Sequence, residues 1–160
     1  MPLSLGLYGC PRHTRFGLTP PTSQEVIRGF LEDAPFVFTG PEYWNALGLG
    51  STAMFPLQLV YNTKRSGEFT LGGRRYLLRR VKFPRRPTAE WYAIDLIEHR
   101  AMVGIDREIL QQGLITSLGR GELDRDALRQ MARHFGTKDT QQLVETAIVT
   151  VGRPAHTFLA

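Results

Sequence analysis

Apolar positions fall into three regimes along the chain. Residues 1–21 keep no period: Tyr8, Pro11 and Phe16 stand among Gly, Pro and Arg, and Pro20-Pro21 closes the stretch. This reads as the end of a hairpin followed by a linker. From Thr22 the pattern becomes regular. Thr22-Ser23-Gln24-Glu25 is a capping box, in which the hydroxyl and the carboxylate each satisfy a free backbone N–H. Val26, Ile27, Phe30 and Leu31 then recur at helical spacing, and the helix ends before Pro35. Phe36 to Thr39 is a short strand broken by Gly40-Pro41. Glu42 to Leu47 is a short helix stopped by Gly48, and Leu57 to Tyr61 is a strand. Glu68 to Leu71 and Arg74 to Phe83 form a hairpin around Gly72-Gly73, a pair that can take positive φ at both turn positions.

Beyond residue 88 the spacing is helical. Trp91, Ile94, Ile97 and Ala101 mark one stripe, and Ile109, Leu110, Leu114 and Leu118 a second. Asp124 caps a third helix carrying Leu128, Met131, Ala132 and Phe135, which Gly136 ends. Leu143, Val144, Ala147 and Ile148 mark a fourth. A mixed β region followed by helices predicts an α+β fold: a small mixed or antiparallel sheet with an Arg-rich hairpin, then a C-terminal helical region. The expected organisation is a leading segment over 1–21, one domain over 22–151 and a loosely held tail over 152–160.

The two-residue turn sets the hairpin register, opposing Leu71 to Arg74, Phe69 to Tyr76 and Gly67 to Leu78. Phe69, Leu71, Tyr76 and Leu78 then share a face. Val81 and Phe83 have the opposite parity, which predicts either a bulge near Arg79-Arg80 or cover on both faces.

Composition narrows the class. The 160 residues are 42% hydrophobic and 22% charged, values of a globular chain. The single cysteine, Cys10, allows no internal disulfide, zinc ribbon or iron–sulfur site, and a reducing, cytoplasmic setting fits it. The longest uncharged run, Tyr43 to Thr63, contains Asn45, Gly48, Gly50, Pro56, Gln58 and Asn62, which argues against a membrane helix. Met1 to Cys10 is too short and turn-rich for a secretory signal.

Charge is distributed unevenly. Lys64, Arg65, Arg74, Arg75, Arg79, Arg80, Lys82, Arg85 and Arg86 share one segment with a single acid, Glu68, giving it +8 against −3 for the remainder. A mildly acidic body with one strongly positive strip points to a polyanion partner. Arginine forks on a hairpin track a phosphate backbone without choosing bases, and Tyr76 and Phe83 could stack on bases of a single strand. The plainer account is that the arginines pair with acids elsewhere and guard a sheet edge. The pattern does not itself separate DNA from RNA.

Catalytic signals are sparse. The chain has no phosphate-binding loop, dinucleotide fingerprint or nucleophile elbow. Among His13, His99, His134 and His156, only His99 has close acidic neighbours. Asp95, Glu98 and His99 at i, i+3 and i+4 could hold a metal or move a proton. The plainer reading is a solvated helix face beside Arg100. Cys10 beside Arg12 and His13 could be an activated thiolate, but nothing supplies an oxyanion hole. No catalytic residue, metal or cofactor is expected.

Phe38-Thr39-Gly40, Trp44-Asn45-Ala46-Leu47-Gly48-Leu49, Pro56, Val60-Tyr61-Asn62-Thr63 and the Arg-rich hairpin occur in an order that resembles a known family. That family is the type IV toxin–antitoxin antitoxins, the AbiEi-like proteins of bacteria, in their C-terminal domain. Arg120-Gly121-Glu122-Leu123-Asp124, Leu128 and Ala132-Arg133-His134-Phe135-Gly136 resemble its closing helices, so the likeness spans residues 5–148. Gly6-Leu7-Tyr8 and Pro11 resemble the end of the family's N-terminal winged helix, whose helix–turn–helix has no counterpart in these residues. The resemblance implies a transcriptional regulator with a basic surface that assists DNA binding. It also implies a nucleotidyltransferase-like toxin, counteracted without a stable complex, and leaves room for self-association. Two rivals come from other classes: a nucleic-acid-processing enzyme using Asp95, Glu98 and His99, and an interaction module whose arginines meet an acidic protein.

Overall fold

A computed structural model describes residues 21–52 and 54–152 in full, and residues 1–20 only as the backbone of four short strands. Those strands are β1 (Pro2–Ser4) with β2 (Leu7–Tyr8), and β3 (Arg12–Thr14) with β4 (Gly17–Thr19), each pair antiparallel. Cys10 and the tail beyond Gly152 lie outside the described residues, so the expectations placed on them are not addressed. The fold is α+β, as the element pattern predicts. The chain forms two compact units: Met1–Thr39 with Phe55–Arg85, and Gly40–Met54 with Arg86–Ala160.

Besides β1–β4, the first unit is one helix on a four-stranded mixed sheet. Helix α1 (Ser23–Phe30) opens on the Thr22–Glu25 capping box, with Thr22 Oγ1 accepting from the Glu25 N–H and Glu25 Oε1 accepting from the Thr22 N–H, both at 3.1 Å. The sheet runs β5 (Phe36–Thr39), β6 (Gln58–Asn62), β8 (Arg74–Arg80), β7 (Gly67–Leu71). The β6–β8 pair is parallel and the other two are antiparallel. Val26, Ile27, Phe30 and Leu31 of α1 pack on Val60, Leu71, Tyr76 and Leu78 of the sheet. Burying side chains of this size removes roughly 1.5–3 kcal/mol each from water, which holds the amphipathic helix in place.

The hairpin register is the expected one, with Leu71 opposite Arg74, Phe69 opposite Tyr76 and Gly67 opposite Leu78. Gly72 and Gly73 take φ of 59° and 81°, the paired left-handed conformation that a residue with a Cβ adopts only at a cost. The parity break has a simpler cause than either expectation. Strand β8 ends at Arg80, before Val81 and Phe83, so these two residues owe nothing to its pleat.

The second unit is helical. It contains α2 (Pro41–Ala46), α3 (Ala89–Glu98), α4 (Arg100–Val103), α5 (Arg107–Gly119), α6 (Arg125–Phe135) and α7 (Lys138–Gly152). Helix α3 packs on α2 and α6, and α7 packs on α5 and α6. Asp124 caps α6 as expected, accepting the Ala127 N–H at 2.8 Å, while Glu90 accepts the Asp124 N–H at 2.9 Å. Two expected stripe positions are exposed, and Met131 and Phe135 of α6 are only partly buried. Ala101 lies in the separate α4 and is exposed, and Ile109 is half-exposed on α5. No described helix is long and apolar enough to cross a membrane.

Candidate nucleic-acid interface

The basic strip begins at a turn built by one buried side chain. Asn62, at the end of β6, is fully buried. Its Oδ1 accepts the N–H groups of Lys64 (2.8 Å) and Arg65 (2.7 Å), and its Nδ2 donates to the Arg65 carbonyl (3.0 Å). An amide can do this because it offers an acceptor and donors at one point. The turn so fixed presents Lys64 and Arg65. Lys64 pairs with Glu32 at 2.8 Å and holds that carboxyl below the usual carboxylate range. The Arg65 guanidinium sits 4.6 Å above the Phe30 ring, a cation–π contact. Ser66 Oγ accepts the Arg80 N–H at 2.8 Å, tying the turn to the far end of β8.

Alternation divides the four arginines of β8. Arg74 and Arg80 share the parity of buried Tyr76 and Leu78, so they flank the α1 face of the sheet, and Arg75 and Arg79 belong to the other face. Arg74 donates to Ser23 Oγ at 2.7 Å, and Arg75 pairs with Glu68 at 2.5 Å. Lys82, Arg85 and Arg86 follow the strand and are exposed, Arg86 being the first residue of the second unit's longer segment. Of the nine basic residues all but Arg65 are exposed. Arg74, Arg80, Arg85 and Arg86 carry no ion pair among the described residues. The two proposed stacking residues part company. Tyr76 is 1% exposed and donates its hydroxyl to Ser23 Oγ, so it belongs to the core, whereas Phe83 remains half-buried at the surface.

Of Asp95, Glu98 and His99 the structure brings two together: His99 Nδ1 lies 3.5 Å from Asp95 Oδ1, whereas Glu98 points elsewhere. Helix α3 buries Trp91, Ala93, Ile94, Asp95, Leu96 and Ile97, so it is enclosed on nearly every side rather than presenting a solvated face there. Asp95 Oδ2 accepts from the Trp44 indole N–H at 3.2 Å. His99 stacks on Trp44 with centroids 5.2 Å apart, and its Nδ1 donates to the Asp95 carbonyl at 2.7 Å. Glu98 turns to α7, where its Oε2 accepts from the Thr137 N–H (2.9 Å), the Thr137 hydroxyl and the Thr140 hydroxyl. A carboxylate at that position suits the positive end of a helix. No group of three or more His, Cys, Asp or Glu is arranged to hold a metal among the described residues.

Beside this cluster, Tyr43 and Tyr92 stack face to face at 5.1 Å. Burial, with the nearby Tyr43 and Asp95, pushes the Tyr92 hydroxyl up to about 12. The unfolded chain ionises it near 10, so its contribution to stability is intact below pH 10 and is lost as pH rises through about 12. Urea unfolding of the wild type should weaken across that window, and Tyr92→Phe should flatten the decline. Parallel curves for the two proteins would contradict the assignment.

The Trp44–Asp95 bond was not anticipated, and its one sequence signal is an acid set among the apolar residues of α3. Neither a protein-family model, a curated protein nor a solved structure matches this chain.

Proposed function

We propose that the protein is a non-enzymatic, cytoplasmic regulator of the type IV antitoxin kind, whose basic hairpin and its exit contact the phosphates of DNA. One observation carries the DNA contact: Arg74, Arg80, Arg85 and Arg86 are exposed and carry no carboxylate partner among the described residues. A cation already paired with a carboxylate gives up that pair to reach a phosphate, as Arg75 and Lys64 would. A guanidinium without a carboxylate partner gives up water and counterions, and in Arg74 also one bond to the Ser23 hydroxyl. The antitoxin assignment, with a nucleotidyltransferase-like toxin as the counteracted partner, rests on the motif order from Phe38 to Thr63 and on the closing helices.

Fluorescence anisotropy with duplex DNA at several salt concentrations tests the contact. Four phosphate contacts give a log–log slope of about −3.6. Because phosphate contacts position without specifying, the protein's own promoter region and a scrambled duplex should bind within about tenfold of each other. A flat salt dependence, or no binding at low salt, would sink the proposal.

A further inference from the structure

Beside the end of α1 lies a surface groove of about 310 Å³, lined by Gln24, Arg28, Asp33, Phe36, Phe83 and Arg85. We infer that it binds one nucleotide unit, an unstacked base with its phosphate. The inference rests on the reading that the arginine strip binds nucleic acid, and it names a site that this reading leaves unassigned.

The lining has the three chemistries a nucleotide requires. Arg28 and Arg85 are exposed guanidiniums on the groove wall, and neither carries an ion pair among the described residues. Two such forks can hold one phosphate through charge-assisted hydrogen bonds. Phe36 and Phe83 are half-buried, so each anchors in the protein and leaves ring surface for a base. Base–aromatic stacking tolerates every base, because each has a π face. The Asp33 carboxylate accepts from exocyclic amino groups, and the Gln24 amide offers both a donor and acceptors.

Size and placement agree with this occupant. About 310 Å³ stands at the lower end of the range for small-ligand sites (~300–1,000 Å³), enough for one nucleotide and far too small for a duplex. The groove continues the basic strip, since Arg85 belongs to both. Asp33 is also held unusually. Glu32 and Asp33 take φ of 54° and 65°, left-handed conformations that a residue with a Cβ adopts only at a cost. Three backbone bonds maintain them: Glu32 N–H to the Gly29 carbonyl, Asp33 N–H to that of Arg28, and Ala34 N–H to that of Leu31. Such strain persists where the surroundings over-determine it, and it concentrates at ligand sites.

Two probes test the inference and separate its sources. The first is a single-stranded DNA dodecamer with a central 2-aminopurine between adenines, whose emission is quenched by stacking within the strand. The second is free 2-aminopurine nucleoside monophosphate, followed by anisotropy. Binding of the strand to wild-type protein should raise the emission as the base leaves its stack. Phe83→Ala should abolish the rise and weaken binding about five- to 150-fold, the range for loss of one stacked base. Arg85→Ala, at an exposed position, should also suppress the rise and remains informative if Phe83→Ala unfolds.

Salt-dependent binding of the strand with unchanged emission overturns the groove while leaving the hairpin reading intact. A rise retained in both variants also overturns it. Free nucleotide bound by wild type and lost in Phe83→Ala, with no strand binding, supports the groove as a nucleotide site and removes the hairpin reading. Binding of neither probe overturns the groove, while the duplex titration decides the hairpin reading.

Discussion

Replacing Trp44 with alanine should cost about 3–5 kcal/mol of stability, the range for truncating a buried tryptophan. Trp44 of α2 is fully buried and bonded to α3, so the substitution leaves a cavity that its neighbours can only partly fill. It also removes the indole N–H from the carboxylate of Asp95, itself 6% exposed, and the ring on which His99 stacks. Losing a donor to a buried acceptor adds about 1–3 kcal/mol. Since whole domains are stable by about 5–15 kcal/mol, the helical unit should be marginal or unfolded in this variant. Trp44→Phe separates the two contributions, keeping much of the ring volume while losing the donor. Urea titrations of both variants should place Trp44→Phe between wild type and Trp44→Ala. A loss below about 1 kcal/mol for Trp44→Ala would mean that α2 contributes little to the packing of α3.

That cluster marks the boundary of what the sequence makes legible. Features written within a few residues are readable. The Thr22–Glu25 capping box, the Asp124 cap, Gly48 at φ 70° after α2 and the Gly72-Gly73 turn all appear where local chemistry places them. Each rests on one backbone group and a partner no more than three or four positions away, so sequence spacing is already spatial distance. Trp44 and Asp95 are 51 positions apart, and Glu98 and Thr140 are 42 apart. No period links them, and the pairing follows from how α3 docks on α2 and α7. For the same reason the sequence does not show that Glu98 parts from Asp95 and His99. Helical spacing puts them on neighbouring positions, and Asp95 and His99 do meet, sharing Trp44 and lying 3.5 Å apart at Oδ1 and Nδ1, whereas Glu98 turns away to α7.

The basic strip is a mixed case. Its density of charge is plain in the sequence, and so is the period of two that divides Arg74 and Arg80 from Arg75 and Arg79. What the sequence does not carry is which cations are already engaged. Glu32 reaches Lys64 from the end of α1 through a left-handed turn, and Ser23 takes both Arg74 and Tyr76. Those contacts depend on α1 lying against β8, and they determine which arginines remain for a ligand.

Replacing Arg74, Arg80 and Arg85 together with alanine should lower DNA affinity about three-thousandfold at 50 mM salt. Each phosphate contact contributes about 0.9 to the log–log salt slope, so three lost contacts flatten it by about 2.7. At 50 mM the logarithm of the salt concentration lies about 1.3 below its 1 M value, and the product is about three and a half powers of ten. The same relation supplies an internal control, because the lines for variant and wild type should converge on extrapolation toward about 1 M salt. Lines that stay parallel would mean that the variant lost something other than counterion release. Folding should be little affected, since all three side chains are exposed and such surface changes usually stay within about 0.5 kcal/mol. Arg74 is the one with a contact to lose, its bond to Ser23, and the Tyr76 hydroxyl still reaches that oxygen at 3.1 Å. Arg75→Ala should cost less than any of the three singly, because its guanidinium is already held by Glu68. If the triple variant melts as wild type does and binds DNA equally well, the phosphate contacts lie elsewhere and the hairpin's charge serves only to keep the sheet edge at β7 soluble.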